Sequence, residues 1–137
     1  MKPLLFLFIL FISSCSPKLS PDHNWAGQKW VLTEVSGVPV QLSGTDKDAH
    51  LVFSPKDRRY SGSGGCNRIM GGYAIDQGNK IRFENPAGTL MACPDIKFES
   101  KFIEVLSSVE KYGVSDKEMV FSKGNTIVLK FESRPMN

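Results

Sequence analysis

Between Tyr60 and Tyr73 the chain reads Tyr-Ser-Gly-Ser-Gly-Gly-Cys-Asn-Arg-Ile-Met-Gly-Gly-Tyr, and this stretch holds five of its twelve glycines and one of its three cysteines. Glycine at that density marks backbone that takes unusual dihedrals or is closely approached by another segment. The expectation is a strand that breaks into a shaped loop and re-enters a sheet at Tyr73. Cys66, Asn67 and Arg68 then supply a thiol, an amide and a fixed positive charge at its crest.

The flanking sequence is dominated by strand signals. Runs rich in β-branched and aromatic residues cover 29–35, 38–42, 50–54, 59–64, 72–76, 80–84, 118–122 and 126–132, separated by short turns such as Gln77-Gly78-Asn79 and Lys123-Gly124-Asn125. Such short gaps predict antiparallel neighbours. One segment departs from this pattern. From Asp95 to Val109 the apolar residues Phe98, Phe102, Val105, Leu106 and Val109 recur at helical spacing, with Glu99, Lys101, Glu104 and Ser108 on the other side. Pro94 and Asp95 suit its first turn. The fold class that follows is mainly β (α+β), with one amphipathic helix.

The N-terminus carries an address. Lys2, an apolar run from Leu4 to Ile12, and Ile12-Ser13-Ser14-Cys15 resemble a bacterial lipoprotein signal, in which cleavage precedes a cysteine that is then acylated. The run is too short to span a bilayer, which takes about 20 residues. Residues 1–14 are therefore expected to be a lipoprotein signal peptide, Cys15 the lipidation site, 15–24 a proline-containing tether, and 25–137 one domain; an ordinary secretory signal with an incidental cysteine is the blander alternative. Ser16 stands where an inner-membrane retention signal would place Asp, so the expected localisation is the outer membrane, facing the periplasm or the surface.

The formal net charge of +3 falls by one when Lys2 is removed. No face-forming basic cluster points to nucleic acid. Lys56-Asp57-Arg58-Arg59 reads as a solvated turn, with contact to anionic headgroups as the sharper alternative. If the lipid consumes Cys15, then Cys66 and Cys93 remain as a pair in an oxidising compartment, where a disulfide competes with two buried free thiols. His23 and His50 do not stand at zinc-ligand spacing from them, so no metal and no cofactor is expected.

Trp30, Leu32 and Gly37, then Gly65-Cys66-Asn67 with Gly72-Tyr73, then Thr89-Leu90-Met91-Ala92-Cys93, and Glu99 before Phe102 and Leu106, together resemble the META/HslJ domain, over nearly all of 24–132. The resemblance implies a small antiparallel β-barrel or strongly curved sheet, lipocalin-like, with the helix packed on it. It also implies a bacterial envelope lipoprotein linked to heat and antibiotic stress, without catalytic activity. On this reading a Cys66 to Cys93 bond would pin the glycine-rich loop to the helix entrance. Asn67 would satisfy backbone groups, and Arg68 would pair with an acid such as Glu99 or face solvent. Asn67 and Arg68 are the candidate binding surface.

Three functional classes follow. The favoured one is a lipid-anchored accessory protein that meets an envelope protein partner and has no chemistry of its own. The second is a carrier or pilotin-like chaperone for a small apolar ligand or a secretion component. The third is an enzyme with Cys66 as nucleophile and His50 as base, against which stand the missing base-to-thiol spacing and the silencing effect of a disulfide. No catalytic set is expected.

Overall fold

The computed structural model describes residues 25–136, and the expected signal peptide, Cys15 and the tether lie outside them. The elements in chain order are β1 (Lys29–Val35), β2 (Val38–Pro39), β3 (His50–Ser54), β4 (Arg59–Ser63), β5 (Arg68–Ile75), β6 (Ile81–Gly88), α1 (Ile96–Ser107), β7 (Lys111–Val114), β8 (Glu118–Lys123) and β9 (Thr126–Arg134). They form one antiparallel sheet in the order β6-β5-β4-β3-β1-β9-β8-β7, with the short β2 paired to β1. Its two ends nearly meet. Ile81 N donates to Glu110 O at 2.9 Å and Tyr112 N to Asn79 O at 2.9 Å, beside a single bridge between Lys80 and Lys111. The sheet is thus a nearly closed barrel, which removes most of the exposed strand edge that an open sheet would present.

Alternation along the strands decides what fills it. Leu51 and Phe53 on β3, Tyr60 on β4, and Ile69 and Tyr73 on β5 point inward and are buried. The interior is a continuous stack of rings: Trp25 lies flat on Phe53 at 4.8 Å and on Tyr112 at 4.9 Å, and Phe83 meets Tyr60 edge-on at 5.2 Å and Phe121 at 5.3 Å. Phe121 then reaches Phe131 at 5.6 Å, and Phe131 reaches Phe102 of the helix at 6.2 Å. Trp30, Leu32, Leu106, Met119 and Leu129 are fully buried among them. A ligand carried inside the barrel would have to displace these side chains.

Helix α1 closes the assembly. Asp95 caps its N-terminus, accepting a hydrogen bond from Phe98 N at 3.3 Å, and Phe102, Val105 and Leu106 face the core against β6 and β9. Glu99, expected on the polar side, is buried at 4 % exposure, because it precedes Phe102 by three residues and Leu106 by seven and so shares their face.

The glycine-rich stretch also differs from its reading. The chain rejoins the sheet at Arg68 and not at Tyr73, so only residues 64–67 form the loop and Gly71 and Gly72 lie within β5. The physical reason is proximity. A β-carbon on Gly71 would stand 2.8 Å from Tyr60 Oη and 2.8 Å from Glu84 O, next to the register shift between Met70 and Gly72. Strand β7, which no sequence run announced, is only four residues long and contains Gly113. The expected strand over 38–42 shrinks to β2.

Candidate functional site

The β4–β5 loop is held from beneath by one carboxylate. Glu99 Oε2 accepts hydrogen bonds from Asn67 N at 2.7 Å and Cys66 N at 3.2 Å, and Oε1 accepts one from Asn67 Nδ2 at 2.6 Å. The amide of Asn67 works on both sides. Its Oδ1 accepts from Met91 N at 2.7 Å and from Thr89 Oγ1 at 3.0 Å. Thr89 in turn closes on Arg68, with Arg68 N donating to Thr89 Oγ1 at 3.1 Å and Thr89 N to Arg68 O at 3.1 Å. Glu99 thereby couples the first turn of α1, the loop, and the segment 89–93. Gly64 is glycine for this reason, since a β-carbon there would stand 2.5 Å from the Glu99 carboxylate.

Cys66 and Cys93 complete the clamp. Their sulfurs are at bonding distance, with Cα atoms 6.1 Å apart and a sequence separation of 27. The bond joins loop to helix entrance. His50 borders the same surface groove as Cys66, yet its Nδ1 is engaged with Asp48 O at 2.8 Å, and the bonded sulfur carries no thiolate. Among the described residues no three His, Cys, Asp or Glu gather as a metal site.

The two residues expected on a binding surface part company. Arg68 is exposed, whereas Asn67 is buried at 4 % and spends its polar atoms inside the clamp. Arg68 does not pair with Glu99, whose three donors come from Cys66 and Asn67. Lys56, Asp57 and Arg58 lie in an exposed turn, shaped by Ser54 Oγ donating to Asp57 Oδ2 at 3.0 Å, and the exposed Arg59 opens β4.

The clamp holds an unusual surface. From Ala87 to Ile96 the only charged residue is Asp95, and every residue is exposed except the half-buried Cys93. Leu90 is fully exposed, Met91 is 53 % and Ile96 47 % exposed, and Met70 stands beside them on β5 at 44 %. Beside this ridge, on the outer face of β3, β4 and β5, runs a groove bordered by Lys47, His50, Val52, Arg68, Met70 and Met91. The sequence marks Thr89 to Cys93 only through the family resemblance; the further signal it offers is a long uncharged run with no strand or helix period to bury it.

The molecule is thus a nearly closed barrel with one helix, in which a Gly-Cys-Asn loop is tied to a Thr-Leu-Met-Ala-Cys segment. The META domain model matches residues 23–135. The chain belongs to the META domain family. Among solved structures, the META fold seen here is similar to an NMR structure of a protein from Burkholderia xenovorans, at 25% identity and a TM-score of 0.69, over 90% of this chain and 94% of that one. It is also similar in fold to a DUF4847-family protein from Bacteroides vulgatus ATCC 8482, at 15% identity and a TM-score of 0.61, over 82% of this chain and 96% of that one. No curated protein matches this META chain.

Proposed function

We propose that this chain is a lipid-anchored envelope protein whose META domain acts by surface contact in heat or antibiotic stress and performs no chemistry of its own. The observation that carries the reading is the ridge: Leu90, Met91 and Ile96 are exposed on a segment fixed by a disulfide and by Asn67. Apolar side chains left in water contribute no burial energy to the fold and leave that energy to a partner that covers them, and a pre-formed segment loses little entropy on docking. The filled barrel supports the same reading, because it directs recognition to the outside. The anchor rests on the sequence around Cys15, and the outer membrane on Ser16.

Two measurements test this. The wild-type chain is expected in the membrane fraction carrying metabolically labelled palmitate, and Cys15→Ser is expected to lose the label; equal labelling of the two would remove the anchor. In cells deleted for the gene, lost tolerance to heat or antibiotics is expected to return with the wild-type chain and not with Leu90→Asp/Met91→Asp, a double variant on an exposed segment that keeps the core. Full rescue by that variant would overturn the role of the ridge. A second reading, a carrier or pilotin-like chaperone, is favoured by the groove beside the ridge.

A further inference from the structure

The groove has a regular construction that the strand register makes visible. Val52, Ser61 and Met70 stand directly opposite one another across β3, β4 and β5, and His50, Ser63 and Arg68 form the next rung. All six point outward, since their neighbours Leu51, Tyr60 and Ile69 are buried. Serines on the central strand between larger side chains on both neighbours leave a trough of about 930 Å3. That size lies within the usual range of small-molecule sites, about 300–1,000 Å3.

The two rungs differ in chemistry. Val52 and Met70 wall the first with apolar atoms. The second carries Arg68, with Lys47 bordering the same space, and neither cation forms an ion pair with a described residue. The one acid on this border, Asp46, is already paired with Lys29 at 2.5 Å. Ser63 Oγ accepts from Gly65 N at 3.0 Å, which leaves its own proton free to donate. His50 Nδ1 faces the carbonyl of Asp48 and so acts as donor there, leaving Nε2 uncommitted. Beyond the cationic rung the groove turns apolar again at Met91 and Pro94. Arg59, exposed one rung below Val52 and Met70, adds charge of the same sign.

We infer that this groove binds a single-chain anionic amphiphile, with its head group on Arg68, Lys47 and Ser63 and its alkyl chain over Val52 and Met70. A neutral apolar ligand would leave two unpaired cations beside it, and a cationic one would be repelled. Charge and shape therefore select the same class. The inference deepens the carrier reading and is independent of the anchor, because its test is made on protein in solution.

The test uses the mature chain, residues 15–137 with Cys15→Ser, titrated with monomeric dodecanoate while backbone amide shifts are followed by NMR. Saturable shifts confined to residues 50–52, 61–63, 68–70 and 91 are expected. Dodecyltrimethylammonium is expected to bind at least about tenfold more weakly, as is dodecanoate to Arg68→Gln, since a charge-assisted contact is lost in each case. Ser61→Trp, which fills the trough from an exposed position, is expected to abolish the shifts while leaving the thermal midpoint unchanged. Equal binding of both amphiphiles, or no saturable binding of dodecanoate, would overturn the inference. So would binding only to anionic phospholipid vesicles or only to an acidic apolar peptide, which would make the face a membrane or protein interface. None of these failures alters the membrane fractionation expected for the anchored chain.

Discussion

At the scale of single residues, Glu99 and Asn67 carry more than any others outside the core. Each of them is buried and multiply bonded, so truncation leaves several donors or acceptors without partners. Glu99→Ala is expected to cost about 3 kcal/mol, measured by urea unfolding, since each orphaned buried group costs about 1–3 kcal/mol. Arg68→Ala, one residue along from Asn67 but exposed, is expected to change stability by less than about 0.5 kcal/mol. Tyr60 gives a different prediction. Burial pushes its hydroxyl up to about 12, and that hydroxyl has no partner among the described residues. The unfolded chain then loses this proton first, near its ordinary value, so stability falls as pH rises from about 10 to 12. Tyr60→Phe is expected to remove part of that alkaline loss and to leave stability at pH 7 unchanged or higher. A drop of more than about 1 kcal/mol at pH 7, read by thermal unfolding, would contradict the burial argument.

At the scale of elements, the β4–β5 loop, the segment 89–93 and the first turn of α1 behave as one unit. The disulfide encloses a loop whose closure contributes about 3.5 kcal/mol on the chain-entropy model. Cys66→Ser/Cys93→Ser is expected to lower stability by about that amount. Circular dichroism is nevertheless expected to show the native sheet signal, because Asn67 and Glu99 still hold the loop and the ring stack is untouched. Loss of the sheet signal would mean that the clamp, and not the core, holds the barrel. The legibility of these elements follows their length. α1 and most strands were readable from periodicity, while β7 was not, because four residues containing a glycine become a strand only through pairing with β8.

At the scale of the whole molecule, the nearly closed barrel depends on residues far apart in sequence. Trp25, ahead of the first strand, stacks on Phe53 and Tyr112 and meets Tyr73 edge-on at 5.6 Å, thereby tying β3, β5 and β7 together. Trp30 Nε1 donates to Trp25 O at 3.1 Å and fixes that segment against β1. Trp25→Ala is expected to cost about 3–5 kcal/mol, read by urea unfolding, as for other large aromatic truncations in a packed core. A cost below about 1 kcal/mol would show that the end of the barrel is closed by other contacts.

The sequence by itself determined the class of fold, the helix and most strands, the pairing candidates Cys66 and Cys93, and the family, because periodicity, turn chemistry and a spaced motif are local properties of the chain. Only the tertiary structure decided that Asn67 is buried within the loop, that Glu99 is buried and triply bonded, that Gly71 belongs to a strand, and that Thr89 to Ile96, Cys93 apart, stands exposed. These depend on distances between residues remote in sequence: Asn67 to Glu99, Gly71 to Tyr60, and the cross-strand rungs of β3, β4 and β5. A linear pattern records which side chains are available, and register and packing decide which of them meet.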